Sequence, residues 1–141
     1  MGFSLVASFA VIGVSILIAI EIFTGNLIPI ITDIDESYDN LVQRTLESVQ
    51  TDINISAAST SLFGENYNHS IIVQNKGSIT LNTSRFTILI NGVSVQFSCS
   101  SSYIYPEKEV FFNISNLPGD GNKRLKVVSD NGISDYYEYF I

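Results

Sequence analysis

The sequence predicts a mainly β protein on a membrane anchor: an N-terminal transmembrane helix, an amphipathic helix continuing from it, and a seven-stranded antiparallel β-sandwich. Three observations carry this reading. From Phe3 to Ile20 no side chain is charged. Between Ile34 and Ile53 apolar residues return at steps of three to five, the period of one helical face. Past Asp52, short runs rich in Ile, Val, Phe and Thr alternate with Gly, Asn and Asp at about ten-residue intervals, as in a small sandwich. The expected organisation is an anchor at residues 1–31, a connector at 32–52 and a folded β domain at 53–141.

The anchor follows from length and charge. Eighteen uncharged residues precede Glu21; as a helix they rise roughly 27 Å, close to the ~30 Å hydrocarbon core of a bilayer. The first basic residue is Arg44, so the basic region that opens a secretory signal peptide is missing, and the helix is expected to be retained. Val6 stands where a myristoylation signal needs Ser or Thr. Ser4, Ser8, Ser15 and Ala19 share one face at i,i+4 spacing, a pattern that lets a second membrane helix approach closely. Glu21 lies on another face, at the far boundary of the span, where its carboxylate can reach headgroups and water. Pro29 predicts a bend, because its ring removes a backbone donor and crowds the preceding turn.

In the connector, Ile34, Tyr38, Leu41, Leu46, Val49 and Ile53 form one apolar stripe among Asp33, Asp35, Glu36, Asp39 and Glu47. That stripe needs a cover, either the β domain or a second copy of the chain. The expected strands are Ile53 to Thr60, His69 to Asn75, Phe86 to Ile90, Val93 to Ser98, Glu109 to Ile114, Arg124 to Ser129 and Ser134 to Phe140. Asn91-Gly92 between two alternating runs predicts a type I′ hairpin, and Asp130-Asn131-Gly132 a second turn. Seven strands in roughly ninety residues suggest an immunoglobulin-like architecture, without the Cys-Trp-Cys pattern of true immunoglobulin domains.

Composition narrows the function. The formal charge is −7, and without clustered Lys and Arg the chain is not expected to bind nucleic acid. Four N-x-[ST] sequons, at Asn54, Asn68, Asn82 and Asn113, point to an extracytoplasmic domain and to glycosylation. Cys99 is the single cysteine and, lying among serines, reads as a small packed residue. His69 is the single histidine, an exposed residue at the start of a strand, and with one Cys and one His no zinc set forms. Leu117 to Asn122 reads as a turn and not a calcium loop. Neither a catalytic residue nor a cofactor is expected, and the chain is not expected to be an enzyme. In Tyr136-Tyr137-Glu138-Tyr139-Phe140 alternation must turn some rings outward.

The layout of uncleaved helix, helical continuation and sandwich resembles the accessory proteins of the archaellum, the archaeal swimming filament, and among them the FlaF stator family. The resemblance is carried by Met1-Gly2-Phe3-Ser4, by Thr32-Asp33-Ile34 to Tyr38, by Gln50-Thr51-Asp52-Ile53 and by Ile72-Val73-Gln74-Asn75-Lys76-Gly77-Ser78, and it spans nearly the whole chain. It implies an anchor in the archaeal cytoplasmic membrane with the N-terminus inside. It also implies a sandwich beneath the surface layer that binds the surface-layer protein and a sister accessory protein. A homodimer would cover the helical stripe or a sheet edge. A rival in the same layout is an archaellin- or pilin-like filament subunit; a membrane-anchored surface enzyme is a rival of another class.

Overall fold

The structure, a computed structural model, describes residues 2–141. Met1, the first residue of the expected anchor, lies outside the described residues. The chain divides into two compact units, Met1–Gln43 and Arg44–Ile141.

The first unit is helical. Helix α1 runs Gly2–Ile22 and helix α2 runs Ile28–Gln50. Between them Phe23–Leu27 forms a π-helical turn, flanked by Ile22 and Ile28 in ordinary α conformation. The interruption expected at Pro29 therefore takes the form of a wide turn just before it. A proline ring collides with the carbonyl four residues back, here Gly25, and one wider turn is how a helix absorbs that collision without ending. Together these elements give one helix long and apolar enough to cross a membrane.

The second unit is a β-sandwich. Its first sheet has the order β1-β2-β8-β6 and its second β10-β9-β4-β5, all antiparallel. Here β1 is Ile53–Phe63, β2 Asn66–Asn75, β3 Leu81–Asn82, β4 Thr87–Ile90 and β5 Val93–Val95. The rest are β6 Ser98–Cys99, β7 Tyr103–Ile104, β8 Glu109–Pro118, β9 Asn122–Val128 and β10 Ser134–Phe140. Each strand expected from the sequence has a counterpart, but Val93 to Ser98 is not one strand: β5 ends at Val95 in the second sheet and Ser98 belongs to β6 in the first. Three two-residue strands add to them: β6 extends the first sheet, and β3 and β7 pair as a small ribbon. These were invisible because two residues make no period.

Strict alternation fills the core. In β2 every second residue is buried from Tyr67 to Asn75, and in β8 Val110, Phe112 and Ile114 point inward. They meet Ile88 and Ile90 of β4 and Leu125 and Val127 of β9 from the opposite sheet. Phe112 stacks on Phe86 at 5.6 Å between centroids and takes Phe97 edge-on at 5.3 Å, so aromatic rings tie the sheets together. The Asn91-Gly92 turn closes β4 onto β5 with both residues at positive φ, 50° and 83°, as a type I′ turn requires. Asn91 serves twice, since its Oδ1 also accepts the backbone N–H of Arg124 from β9 at 2.9 Å.

One donor on the free edge of β1 is occupied by a side chain. A register shift between Ile55 and Ala57 breaks its ladder, and the Ile55 N–H donates to Asp135 Oδ2 of β10 at 2.8 Å. A carboxylate pointing inward from the facing sheet thus occupies a donor that would otherwise invite an extra strand.

Candidate functional site

The last helical turn, Thr51 and Asp52 belong to the same unit as the sandwich and are clamped to it. Thr51 is buried; its hydroxyl donates to the Glu47 carbonyl and accepts from Asn131 Nδ2 at 2.8 Å. The turn after β2 holds the same joint from the other side. Lys76 N–H and Gly77 N–H both donate to the Asp52 carbonyl, at 2.8 and 3.1 Å, and Ser78 N–H donates to that of Gln50 at 3.0 Å. The bonds to Gln50 and Glu47 satisfy carbonyls that every helix leaves orphaned at its C-terminus, and those to Asp52 hold the residue that follows. Gly77 is required by space: a Cβ there would collide with the Gln50 carbonyl oxygen and lie 2.7 Å from the Asp52 nitrogen.

Asn75 organises that turn. It is fully buried, donating through Nδ2 to the Ile79 carbonyl at 2.7 Å and the Ile104 carbonyl at 3.1 Å, while Oδ1 accepts the Gly77 N–H at 3.0 Å. Its backbone bridges to Lys108 and Glu107 as well. One amide therefore fastens the end of β2, strand β7 and the glycine turn. Gln50-Thr51-Asp52 and Asn75-Lys76-Gly77-Ser78, noted separately in the sequence, are the two halves of a single joint.

The outer face of the second sheet has its own chemistry. Lys123, Arg124 and Lys126 of β9 are three of the seven cations in the chain. Register places Arg124 and Lys126 beside Tyr136 of β10. The Arg124 guanidinium carbon lies 4.4 Å and Lys126 Nζ 5.1 Å from the Tyr136 ring centroid. Hydrogen bonding to Lys126, with added attraction from both cations, holds the Tyr136 hydroxyl below its usual range. Tyr136 and Phe140 face outward while Tyr137 and Tyr139 pack against the core, which resolves the aromatic run.

His69 is not at a strand start and is not exposed, as the sequence had suggested. Strand β2 begins three residues earlier, and alternation from Tyr67 puts His69 on the inner face, 1% exposed. Its Nδ1 lies 2.9 Å from Thr60 Oγ1, and its ring stacks on Tyr139 at 3.9 Å. Burial pushes its pKa down, and burial likewise pushes that of Tyr139 up, aided by its hydrogen bond to Tyr67. This is a packed polar cluster. Cys99 is half-buried against the core with Sγ 3.2 Å from Thr83 Oγ1. Asp120 and Gly121 lie in the turn between β8 and β9.

The sequon asparagines separate. Asn54, Asn68 and Asn113 all lie on the outer face of the first sheet, whereas Asn82 sits at the end of β3. In helix α1, Ser8 and Ser15 hydroxyls donate to the carbonyls of Ser4 and Val11, four residues back, so these hydroxyls meet their hydrogen-bonding needs within the helix. Ala19 and Glu21 are exposed.

The fold is thus that of an apolar helix leading into an antiparallel β-sandwich. Among solved structures it is similar to the archaellum periplasmic stator protein FlaG from Sulfolobus acidocaldarius, with a TM-score of 0.55 and 19% identity. The match covers 63% of this chain and 99% of that one. No protein-family profile matches the chain, and no curated protein does.

Proposed function

We propose that the chain is a membrane-anchored accessory component of the archaellum, a support of the FlaF or FlaG kind against which the motor works. The observation that carries this reading is the agreement of fold over virtually all of the FlaG chain, on a protein that adds an apolar helix of membrane-crossing length. The clamp supports it physically. A stator must pass force from the envelope to the membrane, and pull along the helix would be borne by short backbone bonds from Gln50 and Asp52 to the Lys76–Ser78 turn.

In this reading the N-terminus lies inside the cytoplasmic membrane and the sandwich lies outside, beneath the surface layer. The sandwich docks the surface-layer protein and a sister accessory protein. The docking face is the outer face of the second sheet, because there Arg124 and Lys126, beside Tyr136, outnumber the Glu138 opposite Arg124 and give an acidic chain a surface less repellent to acidic partners. The test is genetic: removing the chain from its host should leave filaments assembled and cells unable to swim. Pelleting of the detergent-solubilised chain with isolated surface-layer sheets should saturate.

One observation favours a second reading. Helix α2 buries none of its residues, and Ile34 and Tyr38 remain about two-thirds exposed, as in pilin-like subunits whose helices bundle in a filament shaft. Loss of filaments on removal of the chain, with the chain found along purified filaments, would establish the subunit reading and overturn the stator.

A further inference from the structure

We propose that the outer face of the β1-β2-β8 sheet is a glycan-bearing face, with the first sugar on Asn113 lying over Phe111. The proposal rests on the extracytoplasmic placement of the sandwich given above. Asn54, Asn68 and Asn113 come from three different strands, and pairing alone brings them to one face. Asn54 is opposite Gln74, Asn113 is opposite Ser70, and Asn68 is two residues from Ser70 on the same side.

The amides on β2 and β8 are set for the reaction. Asn113 Oδ1 accepts from Ser70 Oγ at 2.7 Å, and Asn68 Oδ1 accepts the backbone N–H of Asn116 at 2.9 Å, within the bulge where β8 leaves register. An amide held through its oxygen turns its nitrogen away from the holding group. Asn66, Asn75 and Asn131, which stand outside sequons, instead spend Nδ2 as a donor to another group of the domain, Asn66 at the surface and the other two part-buried. In the modification Nδ2 bonds to the anomeric carbon of a lipid-phosphate-linked oligosaccharide as the bond from that carbon to the phosphate oxygen breaks. The lipid phosphate leaves with the electron pair and takes up the proton lost from Nδ2.

A second observation indicates what the sugar covers. Phe111 is 50% exposed on the same face of β8 as Asn113, two residues before it, a separation of roughly 7 Å. It is registered against Ile72, which is registered against Ala57, and the three line a shallow apolar depression of about 350 Å³. Its remaining lining is the methyl of Ala58 and the polar side chains of Ser59, Ser70 and Asn113. The apolar face of a pyranose ring fits over a phenyl ring with its hydroxyls directed to water.

The experiment takes the full chain from the membranes of an archaeal host that N-glycosylates its own surface protein. Intact mass and peptide mapping should show oligosaccharide on Asn54, Asn68 and Asn113, and Ser115→Ala should remove only the third. Ser115→Ala should also lower the thermal midpoint by about 3 °C, and in a Phe111→Ser background it should lower it no further. An equal drop in both backgrounds overturns the stacking. An unmodified mass overturns the glycan face, and protease added outside intact cells separates the causes: a digested sandwich leaves the stator reading standing, a protected one removes both.

Discussion

The joint at the end of α2 and the outer face of the second sheet are opposites. The joint is made of backbone carbonyls, a glycine and a buried amide that bond to one another and to the strands and turns around them. The face is made of long charged and aromatic side chains whose heads are in water. In the first, geometry is the product and any substitution has nowhere to go. In the second, chemistry is the product and the fold beneath tolerates change. Substitutions should therefore divide cleanly, those in the joint reducing stability and those on the face reducing association.

The largest effect is expected at Gly77. A methyl group there meets the Gln50 oxygen and Asp52 nitrogen, both backbone atoms fixed by three hydrogen bonds. Gly77→Ala should destabilise by about 3 kcal/mol or more, as overpacking against atoms that cannot move does. Chemical unfolding of the full chain in detergent measures this. A loss below about 1 kcal/mol would show that the joint yields, and the comparison would fail at its first term. Asn75→Ala comes next. It strands the carbonyls of Ile79 and Ile104 and leaves the Gly77 N–H with the Asp52 carbonyl alone, for about 2–4 kcal/mol. A loss as large as that for Gly77→Ala would mean that the turn is held by its amide as much as by its spacing.

How far the sequence shows these features depends on whether they repeat. The apolar helix was legible from its length without charge, the longer strands because burial imposes a period of two, and Asn91-Gly92 because positive φ at two positions selects few residue types. The joint was legible only as two disconnected motifs, since Asp52 and Lys76 are brought together by pairing of β1 with β2 and by nothing local. His69 was misjudged because Tyr67 and Asn66 were read as loop; once Gly64 and Glu65 form the turn, β2 starts at Asn66 and the alternation assigns the histidine inward. The shared face of Asn54, Asn68 and Asn113, and the Asp135 contact to Ile55, likewise need strand order, which period does not supply.

A pH series extends the contrast between inside and outside. Buried His69 has its pKa lowered from 6.5 by desolvation, so the folded chain binds its proton less readily than the unfolded one. Stability is full above pH 6.5 and drains as pH falls through the lowered folded value, at a limiting slope of about 1.4 kcal/mol per pH unit for this one group. His69→Gln should flatten the unfolding profile between pH 6.5 and the region where carboxylates titrate. A wild-type profile already flat there would place the imidazole in contact with water.

The smallest effect on stability, and the largest on association, belongs to the outer face. Arg124→Glu with Lys126→Glu should lower unfolding free energy by no more than about 1 kcal/mol, since the substitutions are at the surface and the main cost is the new carboxylate opposite Glu138. The pair should abolish pelleting with surface-layer sheets, while Lys126→Gln alone should return the Tyr136 hydroxyl toward its ordinary titration, read by its ultraviolet absorbance change with pH. If charge reversal leaves pelleting intact, the cations serve only to stack on Tyr136, and the docking face must be sought on another surface of the sandwich. If it abolishes pelleting with the fold unchanged, recognition and support reside in separate parts of one small domain, the first free to change with its partner and the second fixed by a glycine that has no room to become anything else.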